Sequence, residues 1–137
     1  MKIKLLENGI MPTRATNGSA GYDIYSPIDV VVPARGKIVV QSNICLEIPQ
    51  GYAVDIRSRS GLAFKSDIEA FHGLIDSDFR GSLGILLRNF GDKDVEIKRG
   101  ERMAQFIIQS VSTPDLEAVE ELSDTERGQG GFGSTGK

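Results

Sequence analysis

The chain has 137 residues, with 16 basic and 19 acidic side chains and a net charge of -3. That is one domain's worth of sequence, and its charge argues against a bulk nucleic-acid binder. The hydrophobic fraction is 39% without an apolar run long enough for a membrane helix, and the single cysteine, Cys45, excludes an internal disulfide and a thiolate-rich metal site.

In chain order, Met1 to Glu7 has no long apolar stretch and no small-residue cleavage site, so no secretory signal is expected. Short runs rich in Val and Ile follow. They are Ile28–Val32, Ile38–Val40, Ile44–Ile48, Tyr52–Ile56, Leu83–Leu87, Val95–Ile97 and Phe106–Ile108. Runs this short, bounded by turn residues, predict strands. Pro33, Pro49 and Pro114 close such runs, where no ladder hydrogen bond is lost. No segment sustains a helical apolar period over ten residues. The one helix candidate is Ser60–Phe64, with Ser60 as its cap. Cys45, inside an apolar strand, is expected in the core. The expected fold class is therefore all-β, a sandwich or barrel of many short strands.

Residues 115–126 hold six acidic residues and no base, which suits either a strand or a mobile linker. Sixteen glycines are present, and five of them fall in the last ten residues. That clustering sets the tail apart. The organisation expected is a single β domain over residues 1–126 and a flexible glycine-rich arm over 127–137. Gly131 to Lys137 matches the start of a GxxxxGK[ST] phosphate loop, but the chain stops before the final Ser or Thr and before any helix, so that reading is rejected.

Four segments carry candidate chemistry. In the tail, Arg127 supplies charge, Ser134 and Thr135 hydroxyls, the glycines free backbone N–H groups, and Phe132 an aromatic face for a base. The plainer alternative is a linker end. Arg57-Ser58-Arg59-Ser60-Gly61 suits phosphate oxygens, or is an ordinary surface turn. Gly73-Leu74-Ile75-Asp76-Ser77-Asp78-Phe79-Arg80-Gly81 sets two carboxylates beside an arginine. Asp76 at a strand end can orient water, or the segment is a self-capping turn. Gln105, a neutral polar group in an apolar strand, should find a ligand or a neighbouring chain as its partner. His72, the lone histidine, is either a general base or a turn residue.

Together these segments resemble the trimeric deoxyuridine triphosphate nucleotidohydrolases, the dUTPases. Ala20-Gly21-Tyr22-Asp23-Ile24, Arg59-Ser60-Gly61-Leu62-Ala63, Gly73 to Gly81, Gly100-Glu101-Arg102-Met103-Ala104-Gln105 and Arg127 to Gly136 look like the family's five motifs, in the family's order. The resemblance implies a distorted jelly roll and a homotrimer with active sites at subunit interfaces. It implies hydrolysis of dUTP to dUMP and pyrophosphate, with Mg2+ held by the substrate phosphates and water rather than directly by the protein. Asp76 matches the aspartate that activates water against the α-phosphorus. Arg59, Ser60, Gly61 and Gln105 match phosphate-site residues, with Asp23 in support. Gly73 and Ile75 fall in the hairpin, from Ala70 to Asp76, that reads uracil through its backbone. Phe79 matches the ring that packs on deoxyribose. Arg127, Gly133, Ser134 and Thr135 match the closing arm, and Phe132 the aromatic that stacks on uracil. A cytoplasmic location, or an intracellular one if the source is viral, is expected, with no membrane or nucleic-acid partner.

The chain departs from the family pattern at three positions. Phe79 stands where tyrosine is common, His72 where a small residue is common, and Ser58 where a proline often precedes the arginine. A dCTP deaminase of related fold, and a trimeric binding module that keeps a nucleotide pocket, are the competing functions.

Overall fold

The computed structural model describes residues 1–131. Ten strands and one short helix follow one another as β1 (Lys2–Leu5), β2 (Tyr22–Tyr25), β3 (Val30–Val32), β4 (Lys37–Glu47), β5 (Tyr52–Arg57), α1 (Ser60–Ser66), β6 (Ile68–Ala70), β7 (Gly73–Ile75), β8 (Ser82–Asn89), β9 (Val95–Ile97) and β10 (Arg102–Ser110). One sheet has the order β1-β4-β8-β6, a second β2-β10-β5-β7, and β3 and β9 form a separate ribbon. The named pairings are antiparallel. This is the all-β class expected from the short Val- and Ile-rich runs, and the jelly roll that the family resemblance implies.

The core is what the alternation dictates. Leu83, Ile85, Leu87 and Asn89 of β8 are buried, while the residues between them are not. Val40, Ile44 and Leu46 of β4 lie beside them on the same face of the first sheet, and Ile24, Val54, Ile56 and Phe106 come from the second. Each such aliphatic side chain contributes roughly 1.5–3 kcal/mol on burial. Asn89 is the polar exception, and its amide is fully used. Its Nδ2 donates to the carbonyls of Val32 (3.0 Å) and Lys93 (2.8 Å), and its Oδ1 accepts from the N–H of Gly91 (2.8 Å). It thereby fastens the end of β8 to the β3–β9 ribbon.

Several sequence expectations change. The runs Ile38–Val40 and Ile44–Ile48 are one strand of 11 residues, not two. A bulge joins them: the register with β8 slips between Gln41 and Cys45, and Asn43 takes a left-handed φ of 59°. Asparagine tolerates that conformation, and its side-chain Nδ2 donates to the carbonyl of Glu7 at 2.9 Å. The run Ile28–Val32 shortens to Val30–Val32. Ile28 gives its carbonyl to the Ser26 hydroxyl at 2.6 Å instead of to a ladder. Cys45 is not a core residue. Ile44 and Leu46 take the inner face of β4, and the pleat sends Cys45 to the other side, half-buried and opposite Lys4.

Ser60 is the first helical residue rather than the cap. Arg59 holds the cap position with extended backbone, and no side chain caps the helix. The helix ends at Asp67, whose φ is 54°, and it buries none of its residues. From Val111 to Gly131 no strand or helix is present. Leu116 and Leu122 are almost wholly exposed there, so the strand alternative for residues 115–126 is not realised.

Candidate functional site

A cleft of about 430 Å³ opens beside the second sheet, lined by Gly21, Asp23, Arg57, Arg59, Ser60 and Gln105 among others. Its residues come from segments far apart in sequence. The topology brings them together because β10 lies between β2 and β5, so Asp23, Gln105 and Arg57 stand on three adjacent strands. Gln105 pairs with Asp23 on one side and with Arg57 on the other.

The polar groups are interlocked. Asp23 is buried, and its Oδ1 accepts from Arg59 Nε at 2.8 Å. Its Oδ2 accepts from Arg102 Nη1 at 3.4 Å. One carboxylate thus holds two guanidinium groups and satisfies the desolvation demand of its own burial. Arg57 is fixed in a similar way. Its Nε and Nη2 both donate to Asp55 Oδ2, at 2.9 and 2.8 Å, and Gln109 Nε2 donates to the same oxygen at 2.9 Å.

Gln105, expected to pair with a ligand or a neighbouring chain, has a partner inside its own chain. Its Nε2 donates to the carbonyl of Ser58 at 2.8 Å. A primary amide has two N–H donors, so one remains for a ligand oxygen. Gly21 lies against it: a Cβ there would stand 2.4 Å from Gln105 Oε1, so the amide would have to shift.

Asp76 is elsewhere. Ile75 pairs with Val54, so Asp76 leaves β7 level with Ala53, whereas Arg57 stands four residues further along β5, roughly 13 Å away at the rise of a strand. Asp76 is exposed, and among the described residues none of the ion pairs includes it. The turn that follows is stapled. The Phe79 N–H donates to the Asp76 carbonyl at 3.2 Å, and Arg80 Nη1 donates to the carbonyls of Ser77 (2.7 Å) and Phe79 (3.0 Å). The Phe79 ring lies over Gly81, where a Cβ would meet Cζ at 2.6 Å.

The segment Ala70 to Asp76 is not a hairpin closed on itself. β6 pairs with β8 in the first sheet and β7 with β5 in the second, so Phe71 and His72 carry the chain between sheets. His72 is exposed at that crossing. Among the described residues β7 is an edge strand, and its outer edge presents backbone N–H and C=O groups without ladder partners. Gly73 and Ile75 lie on it.

Gly61 is exposed in α1, outside the lining of the cleft. Arg127 is also outside it, in a turn where its Nε donates to the Gly130 carbonyl at 2.7 Å. Phe132, Gly133, Ser134 and Thr135 lie outside the described residues. The sequence reading missed Asp55, Gln109 and the pairing of Arg102 with Asp23. The only local signal was Asp55 and Arg57 at i and i+2 on one strand face.

Among the described residues no group of three or more His, Cys, Asp or Glu assembles to hold a metal. Asp23 is committed to arginines. The guanidinium and hydroxyl donors that line the cleft suit anionic oxygens, not a cation directly. Among the described residues no helix is long and apolar enough to cross a membrane.

The dUTPase family model matches residues 7–136. The chain is 50% identical over 133 residues to the deoxyuridine 5'-triphosphate nucleotidohydrolase of Paramecium bursaria Chlorella virus 1, covering 97% of this chain and 94% of that one. In structure it is similar to the Staphylococcus bacteriophage 80alpha dUTPase with dUPNHPP, with a TM-score of 0.91 and 33% identity over 99% of this chain and 98% of that chain. It is also similar to a mutant dUTPase of the S. aureus phage phi11, with a TM-score of 0.83 and 30% identity over 88% and 96% of the two chains; that structure describes the coordination of a structural Mg(II) ion.

Proposed function

The chain belongs to the dUTPase family, and we infer from that premise that it hydrolyses dUTP to dUMP and pyrophosphate. The observation that carries the reading is the convergence of Asp23, Arg59, Ser60 and Gln105, from three of the five sequence motifs, on one cleft. Three guanidinium groups stand in or beside that cleft, and their carboxylate partners leave donors over for phosphate oxygens.

Phosphoryl transfer asks a protein for an aligned water and neutralised oxygens more than for covalent help. Arg59, Ser60, Gly61 and the free N–H of Gln105 are proposed to hold the phosphates, with Asp23 fixing Arg59. Asp76 is proposed to take the proton of the water that attacks the α-phosphorus. Mg2+, bound by phosphate oxygens and water, would supply further charge neutralisation. The outer edge of β7, at Gly73 and Ile75, is proposed to read uracil. Backbone donors and acceptors there discriminate it from cytosine by pattern, and close packing excludes a 5-methyl group. Phe79 is proposed to pack on the deoxyribose. Residues 1–126 form the catalytic domain in this reading, and 127–137 the arm that closes over the site through Arg127, Phe132, Gly133, Ser134 and Thr135.

The distance along β5 between Asp76 and the cleft supports a site shared between copies of the chain, and a homotrimer is proposed. An intracellular setting is also proposed; the free Cys45 is compatible with a reducing compartment.

Pyrophosphate release with Mg2+ present, measured on dUTP, dTTP, dCTP and UTP, tests the reading. Release from dUTP alone is expected. Ammonia and dUTP from dCTP would identify a deaminase, and dUTP binding without turnover a binding module; either result overturns the proposal.

A further inference from the structure

Ser58 stands between the phosphate cleft and the segment that carries Gly73, Ile75 and Asp76. Its hydroxyl donates to the Ala70 carbonyl and accepts from the Ala70 N–H, both at 3.0 Å. Its own carbonyl accepts from Gln105 Nε2 at 2.8 Å. β6 is the outer strand of the first sheet, and Ala70 turns both backbone groups away from β8, towards an edge with no strand beside it among the described residues. Ala70 is 3% exposed, so those two groups need protein partners. A hydroxyl offers one donor and two acceptor sites, and Ser58 spends the donor and one acceptor on the two groups that a neighbouring strand would have paired. One side chain on the second sheet's connection thus completes the edge of the first. It does so at the last residue before the chain crosses between sheets into β7.

We propose that Ser58 is a positioning residue for dUTP hydrolysis, one that fixes the base-reading segment relative to the phosphate cleft. The proposal rests on the functional reading above. Without the hydroxyl, Ala70 loses both partners, and the crossing at Phe71 and His72 is left to the Phe71 N–H bond to the Leu86 carbonyl at 2.8 Å. Residues 73–76 then drift as a unit. The Ser58 carbonyl drifts too, and it holds Gln105. Base selection and phosphate grip are therefore coupled through one residue that touches neither ligand.

Ser58→Ala, Ser58→Thr and Ile97→Val in the full chain test this, the last being a core change remote from the cleft that controls for lost stability. Ser58→Ala is expected to raise KM for dUTP about fivefold with kcat within about twofold. It is expected to lower the dUTP over dCTP preference in kcat/KM about tenfold. Ser58→Thr, which keeps the hydroxyl, should restore most of both. Amide exchange across residues 70–75 should quicken in Ser58→Ala and not in Ile97→Val. If Ser58→Ala keeps wild-type selectivity, or if Ile97→Val loses as much, the proposal is overturned. Should the alanine chain not fold, Ser58→Cys, a weaker donor and acceptor, is expected to show a partial loss of selectivity, and wild-type selectivity there overturns the proposal equally. A wild-type protein inactive on dUTP would sink the functional reading instead; the exchange comparison would still decide whether Ser58 holds the segment.

Discussion

The cleft around Asp23 and the turn at Asp76 are built on opposite principles. In the cleft nearly every polar group already has a partner. Asp23 holds two arginines, Asp55 holds Arg57 and Gln109, and Gln105 is held by Ser58. At Asp76 the backbone is stapled by Arg80 while the carboxylate stands exposed. Binding groups set in advance cost little reorganisation when an anion arrives. A group that must move a proton has to keep its lone pairs free until water and substrate are in place.

That contrast can be broken from either side. The largest effect is expected at the exposed end. Asp76→Asn should lower kcat about a thousandfold or more, leave dUTP binding near wild type and leave folding intact, as pyrophosphate release and nucleotide titration would show. If kcat fell less than tenfold, Asp76 would not be the base. Next comes the interlocked end. Gly21→Ala forces a Cβ against Gln105 Oε1 and should raise KM for dUTP about tenfold with a smaller change in kcat, measured by steady-state kinetics. An unchanged KM would remove Gln105 from the phosphate grip.

The smallest effect lies away from both, on the ribbon of β3 and β9. The Arg99 N–H donates to Asp29 at 2.8 Å and, with Lys98 nearby, holds that carboxyl below the usual carboxylate range. A depressed carboxyl contributes stability above its unfolded pKa and loses it as pH falls through the folded one. Asp29→Asn should therefore unfold slightly more easily than wild type at neutral pH, and the gap in denaturation midpoint should close under acid. Because the group is exposed, a gap that persisted at the lowest pH would point to packing, not charge. The same variant should leave turnover unaffected.

Much of the fold was legible because burial writes itself into Val and Ile at period two. β5, β8, β9 and β10 each contain or extend an expected run. The losses came at short strands that hold a single Ile and no Val, and so carry no apolar run. β6 and β7 have three residues each, and β1 and β2 four. β4 was divided because a bulge at Asn43 looks like a turn in sequence. At the site, the cleft residues Asp23, Arg59, Ser60 and Gln105 were legible as parts of motifs, but their partners were not. Arg102 meets Asp23 across 79 positions of sequence, and Ser58 meets Ala70 across 12. Such pairs depend on sheet register, which local pattern does not encode. Ser58 sat inside a segment read as a phosphate grip, and its hydroxyl is spent on backbone instead.

The place of β10 in the second sheet has a consequence for how the chain is made. Among the described residues it is the last strand in sequence, and it is an inner strand in space, flanked by β2 and β5. The first sheet needs nothing beyond Asn89, so its strands can pair while synthesis continues. The second sheet has no continuous ladder until residue 110 has been added, because β2 and β5 meet only through the strand between them. Gln105 arrives with that strand, so the cleft forms at the same moment as the core closes. A message cut short before residue 102 therefore yields a chain with one finished sheet and an open apolar face, a target for chaperones and proteases rather than a weaker catalyst.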